Sequence, residues 1–307
     1  MTSARRIHGL GLALGGLGTA ALVLAGWVSL GAVSLSPPSV GALLAACERF
    51  ASPDMSAGTL VTLSLMAPVV VTIVLGSRSL LRQLRAYRRF VSRLGLSGTI
   101  DVDGSEVIIL EDPRPRAFCA GYLRPRVYVS SGGLALLSAA ELGAVVAHES
   151  HHRMRRDPLR LLIVRMLSES LFFLPVLRRL AERYGTLTEM AADEAAVSAR
   201  GRGTLASALL AFGEAPTPQA VVGIAPERVD HLLGGAARWE LPVALLVGSL
   251  VAAVGLGTAA LAATHLRGAA TVNLPLLLTQ SCMVAMAIVP VFLAVGALLA
   301  ARPLLSR

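Results

Sequence analysis

The sequence predicts a membrane-spanning helical protein that carries an α+β domain between two pairs of spans. Three observations predict it. Hydrophobic residues make up 54% of the 307 positions, and mean hydropathy is +0.67. Four stretches lack charge over the roughly 20 residues that a helical span needs. Between the second and third of them the hydrophobic pattern changes from alternation to helical spacing.

The four stretches are Gly9–Val33, Ala57–Gly76, Leu241–Thr264 and Leu274–Ala300. Arg5 and Arg6 precede the first, as in a secretory leader. Its apolar core exceeds the ~7–15 residues of a leader's hydrophobic region, so it is read as a span. After the second come Arg78, Arg82, Arg85, Arg88, Arg89 and Arg93 with no acid between them, whereas the loop at 34–56 sets Arg49 against Glu48 and Asp54. Positive charge favours the cytoplasmic side. The expected organisation is an N-terminal membrane hairpin (1–77), a cytoplasmic domain (78–239) and a C-terminal membrane hairpin (240–307), in a plasma membrane with both termini cytoplasmic.

The net charge of +9 comes entirely from arginine, since no lysine occurs. A nucleic-acid partner is not expected, because aromatic content is only 4% and no nucleic-acid module is recognisable. Basic flanks to membrane spans account for the charge. Cys47, Cys119 and Cys282 are odd in number and far apart, which gives neither a disulfide framework nor a sulfur-ligated metal site. A transporter or channel is disfavoured because no ionisable residue lies within the spans.

In the central domain, Asp103-Gly104 is a hairpin signal between Thr99–Val102 and Glu106–Leu110. The stretch "EDPRPR" then breaks the chain, and Ala117–Gly121 with Arg126–Ser130 form a second strand pair. From Ser138 the spacing is helical. Ser138 caps, Glu141 completes a capping box, and Asp157-Pro158 closes the helix. Leu159–Leu180 reads as one helix in the core or at the membrane interface, with Arg165 and Glu169 spaced to pair. Residues 188–212 read as another helix, and 215–219 as a loop.

The stretch "AHESHHRMRRD" (147–157) concentrates three of the six histidines within five positions. His148 and His152 are four apart on the predicted helix and share a face, where two neutral imidazoles can hold one Zn²⁺. Glu149 follows the first of them. This is the HExxH arrangement, in which the glutamate accepts a proton from the attacking water. A catalytic zinc site takes three protein ligands, and no further histidine follows at a suitable distance. "TEMAADEAAV" offers Glu189 and Asp193, again four apart on a helix, so one can ligate while the other holds a ligand imidazole by its free N–H.

"HESHH" followed by "EMAAD" resembles the HExxH…ExxAD signature of membrane gluzincins. These are the heat-shock membrane proteases, the CAAX prenyl proteases and the related β-lactam-sensing proteases. The stretch "AFCAGYLRPRVYVSSGGLALLSAAELGAVVAHESHH" is similar to their common core, and the likeness covers about residues 113–235. It implies a zincin-like fold with one zinc per chain. His148, His152 and Glu189 would be the ligands, Glu149 the general base, and Asp193 the carboxylate behind a ligand imidazole. It also implies that the strand of Ala117, Phe118, Cys119, Ala120 and Gly121 is the edge on which an extended substrate adds. "APERVDHLL" weakly matches a later family segment, which makes Arg228 a possible transition-state contact.

The sensor branch carries an extracytoplasmic domain after its last span, whereas six residues follow Ala301, so that sensing role is not expected. The core otherwise looks closest to this branch. His231 and Tyr184 are further candidate contacts, each more simply an ordinary surface residue. His151, about 100° round the helix from His152, is expected at the surface. Arg153, Arg155 and Arg156 suit the helix C-terminus. The function expected is a zinc-dependent endopeptidase acting in membrane-protein quality control or regulatory cleavage. Its partners would be the lipid bilayer and protein or peptide substrates, among them a cytosolic regulator. The alternative is a catalytically inactive membrane scaffold or signalling protein that retains the fold.

Overall fold

The computed structural model describes residues 2–34, 57–214 and 241–265, with isolated positions at 36–37, 39–42, 44, 228, 232 and 272–273. Helices α1 (Thr2–Ala32), α2 (Ala57–Val91) and α8 (Val243–Thr264) are each long and apolar enough to cross a membrane. The fourth expected span, 274–300, and the loop at 215–219 lie outside the described residues. Helix α2 does not stop where its apolar run ends at Gly76. Arginine is a good helix former, so the basic stretch continues the same helix to Val91.

The chain divides into two compact units. One comprises Ala20–Val71 and Val254–Arg307. Within it Ala25, Val28, Leu65, Ala260 and Ala263 pack together, and Val33–Ser34 pair in parallel with Val272–Asn273. The other comprises Met1–Thr19 and Thr72–Ala253 and holds the mixed α/β part.

That part begins with strands β1 (Leu96–Val102) and β2 (Ser105–Leu110), an antiparallel hairpin. Asp103 and Gly104 turn it with φ of 54° and 76°, the pair of left-handed residues that a tight two-residue turn requires. Strand β1 starts three residues earlier than the alternation suggests, with a register irregularity between Leu96 and Gly98. Strands β3 (Ala117–Ala120) and β4 (Arg126–Ser130) are antiparallel, and β4 runs parallel to β2, giving the order β1-β2-β4-β3. Strand β3 is therefore an edge. It ends at Ala120, one residue before the expected limit. Gly121 sits at φ 115°, where a Cβ would lie 2.6 Å from the Arg124 carbonyl oxygen.

Alternate residues of β2 and β4 form the core. Val107, Val127 and Val129 are fully buried and meet Val146 of helix α4 (Ala139–Arg155). A short helix α3 (Ser131–Leu136) leads into α4. The Ser138–Glu141 capping box is present in full, and α4 ends where Arg156 adopts φ 53°.

The chain then turns at once into α5 (Asp157–Ser170), with Pro158 in its first turn, where its missing N–H costs nothing. The single helix expected over 159–180 is in fact two. Pro175 disfavours a helical Leu174, so α5 stops at Ser170 and α6 (Val176–Arg200) starts afresh. The helix expected over 188–212 is likewise divided. Gly201, at φ 85°, separates α6 from α7 (Arg202–Glu214). Glu169 pairs with Arg82 of α2 instead of Arg165. Val164 of α5 packs with Tyr184, Leu187 and Met190 of α6 and with Ala4 of α1, which places this part of α5 in the core.

One residue ties β3 to this framework. The hydroxyl of Ser130 is fully buried. It accepts from the N–H groups of Arg116 (2.8 Å) and Gly133 (3.0 Å) and donates to the Arg114 carbonyl (2.7 Å). Ser130→Ala leaves two N–H groups without their acceptor. It is expected to cost about 2–3 kcal/mol, read as a lower thermal midpoint of the detergent-solubilised protein.

Candidate metal centre

Helices α4 and α6 each present two polar side chains four residues apart: His148 and His152 on α4, Glu189 and Asp193 on α6. On a helix this spacing stacks side chains on one face. The donor atoms of His148, His152 and Glu189 come within 4.8 Å of one another. The two Nε2 atoms are 3.2 Å apart. Glu189 Oε2 lies 3.6 Å from His148 Nε2, and its Oε1 lies 3.5 Å from His152 Nε2.

The opposite ring nitrogens settle what those Nε2 atoms offer. His148 Nδ1 lies 3.1 Å from Asp193 Oδ1, and His152 Nδ1 lies 2.9 Å from Asp157 Oδ2. A carboxylate accepts a hydrogen bond, so both Nδ1 atoms carry the proton, and in the neutral rings both Nε2 lone pairs face each other. Two lone pairs at 3.2 Å need a proton or a cation between them. Tetrahedral zinc with bonds of about 2.0–2.1 Å sets its donors about 3.3 Å apart. The three separations observed, 3.2, 3.5 and 3.6 Å, fit that spacing.

Electrostatics point the same way. Burial opposes a charged His148, but hydrogen bonds from it to Asp193 and Glu189, with the nearby charge of Glu149, outweigh burial and lift its pKa to about 9. Surroundings that favour a proton there also favour a divalent cation. Burial likewise opposes ionisation of Glu189 and Asp193. Both are nevertheless held below the usual carboxylate range, by the hydrogen bond from His148 and by the positive groups beside them. Arg228 is one of those groups. Its Nε and Nη2 donate to the two oxygens of Asp193 at 2.9 and 2.8 Å, and its Nη1 lies 3.3 Å from Glu189 Oε2. Asp193 is fully buried, so this fork supplies the positive charge such a carboxylate needs.

Glu149 behaves differently. Burial pushes its carboxyl up, and the Glu189 charge adds to this, while His148, His152 and the nearby Cys119 backbone N–H pull it back. That last contact sets the backbone of edge strand β3 beside Glu149. The Cys119 thiol is pushed up to about 12, by burial first and by the Glu149 charge next.

The remaining candidates lie apart. Tyr184 is buried in the cluster of Ala4, Val164, Leu187 and Met190 and stacks on His8, with ring centroids 4.9 Å apart. His231 lies outside the described residues. His151, expected at the surface, is buried at 8% exposure, and burial lowers its pKa. The neighbouring Ser150 faces the sheet, its hydroxyl reaching Ser105 of β2 at 3.2 Å. Arg153 and Arg155 do occupy the last turn of α4.

Asp157, which the sequence marks only as a helix end, also reaches the cluster through His152. It is 2% exposed, and the left-handed turn at Arg156 brings it back under His152. The only sign of it in the sequence is a lone acid among the arginines of "HHRMRRD".

Residues 108–230 match a family model described as BlaR1 peptidase M56. The match runs from β2 to just past Arg228 and so takes in the edge strand and both helices that bear the site. Together with the three apolar helices, it supports a membrane metallopeptidase of zincin type. No curated protein and no solved structure matches the chain.

A residue that orients a ligand imidazole typically changes metal affinity 10–100-fold when altered. Asp157→Asn is therefore expected to weaken zinc binding by about tenfold or more, measured by competition with a chromogenic chelator.

Proposed function

We propose that the chain is a zinc-dependent endopeptidase held in the membrane, with His148, His152 and Glu189 as the ligands of one zinc ion. The observation that carries this reading is the pair of facing Nε2 atoms closed by Glu189, with a basic carboxylate at the next position along α4. Bound there, zinc would supply Lewis-acid polarisation of the scissile carbonyl and make a water acidic.

The chain's own residues do the rest. Glu149 takes the proton of the attacking water and delivers it to the leaving amine. A carboxyl whose pKa is raised by burial suits both halves of that transfer. Asp157 and Asp193 hold the Nδ1–H groups and fix both tautomers. Arg228, already engaged with Asp193 and Glu189, positions those carboxylates.

An extended substrate segment adds to the free edge of β3, from Ala117 to Ala120, where unpaired backbone groups capture a strand. The Cys119 backbone lies near Glu149, which puts that edge next to the base. The arginines that follow the apolar part of α2 orient this domain to the cytoplasmic face of the plasma membrane. Substrates are then membrane-protein segments exposed on that face or a cytosolic regulator.

The test is cleavage of fluorescein-labelled casein by the detergent-purified chain. Glu149→Gln is expected to lower the rate by about 100-fold or more while one zinc per chain is retained. 1,10-Phenanthroline is expected to abolish wild-type cleavage and added zinc to restore it. A Glu149→Gln protein that cleaves as fast as the wild type would contradict the proposal.

A further inference from the structure

A cavity of about 720 Å³ lies between α2, α5 and α6, away from the metal centre. Its wall begins at Leu75, where the apolar run of α2 ends, and continues through Arg78 and Arg82. Just before it, Ile73 and Val74 point outward, 61% and 57% exposed, as lipid-facing side chains do. The cavity therefore sits where this helix leaves the hydrocarbon, at headgroup level.

Four arginines line it (Arg78, Arg82, Arg165 and Arg178) against two acids, Glu169 and Glu182. Glu169 is engaged by Arg82, and Glu182 by Arg178. Among the described residues Arg78 and Arg165 have no acidic partner. Two guanidinium groups without counter-charges, facing one cavity at the membrane surface, are complementary to a phosphate, which a guanidinium can bind through two parallel hydrogen bonds.

We infer that this cavity binds the phosphate headgroup of an anionic lipid. A basic pocket at the membrane surface attracts such headgroups. A zwitterionic lipid brings its own cation into a wall that already carries two excess positive charges, so it fits less well. The site is independent of the proposed peptidase chemistry, since none of its residues belongs to the metal centre.

The experiment uses the full detergent-purified chain in mixed micelles of phosphatidylglycerol and phosphatidylcholine, read by native mass spectrometry. The wild type is expected to retain phosphatidylglycerol in preference to phosphatidylcholine. Arg78→Gln/Arg165→Gln is expected to weaken that retention roughly thirtyfold. The charge-matched Arg124→Gln/Arg202→Gln is expected to leave it unchanged. All four arginines are exposed, so neither variant disturbs the core. Equal loss in both variants, or no loss in the first, would overturn the site. Retention of inorganic phosphate without the lipid would show a site for a soluble anion and overturn the lipid assignment.

Discussion

The two imidazole nitrogens that face each other across 3.2 Å set the requirements for everything around them. Each ring is held by a carboxylate on its far side, Asp193 for His148 and Asp157 for His152. With both Nδ1 protons committed, the lone pairs have nowhere else to point. Only a positively charged guest relieves that arrangement, and Glu189 completes the ring of donors. The cluster is pre-organised by the hydrogen bonds behind the imidazoles as much as by the imidazoles themselves.

The fold can be understood as the means of holding that geometry. The HExxH helix α4 is anchored at its start by the capping box and along its length by Val146 against the buried valines of β2 and β4. Its end is set by the left-handed Arg156, which swings Asp157 back beneath His152. Helix α6 brings Glu189 and Asp193, and Arg228 locks both. Ser130 fastens the segment before β3, so the edge strand is held at a defined place beside Glu149.

Much of this was legible in the sequence because the relevant signals are local. Asp103-Gly104 can hardly be anything but a tight turn, and Ser138 with Glu141 marks a helix start by chemistry confined to four residues. The spacing of His148 and His152, and of Glu189 and Asp193, needs only the helical repeat. The misses come from longer range. His151 looks solvent-facing on an isolated helix, but the folded domain buries it. The break at Leu174-Pro175 lies in the apolar stretch 171–177, so hydrophobic periodicity runs past it, and Gly201 stands alone as a breaker between two helical patterns. Asp157 reads as the residue that ends a helix, and its reach back to His152 depends on one backbone conformation at Arg156. The clasp of Arg228 on Asp193 spans 35 positions, and no local pattern announces it.

The most direct measurement of the central claim is X-ray absorption at the zinc edge of the zinc-loaded, detergent-purified chain. A four-coordinate ion with two imidazoles and oxygen donors at about 2.0–2.1 Å is expected. Glu189→Ala is expected to change the oxygen shell while both imidazoles stay. A shell with fewer than two imidazoles, a sulfur donor, or a spectrum unchanged by Glu189→Ala would contradict that claim.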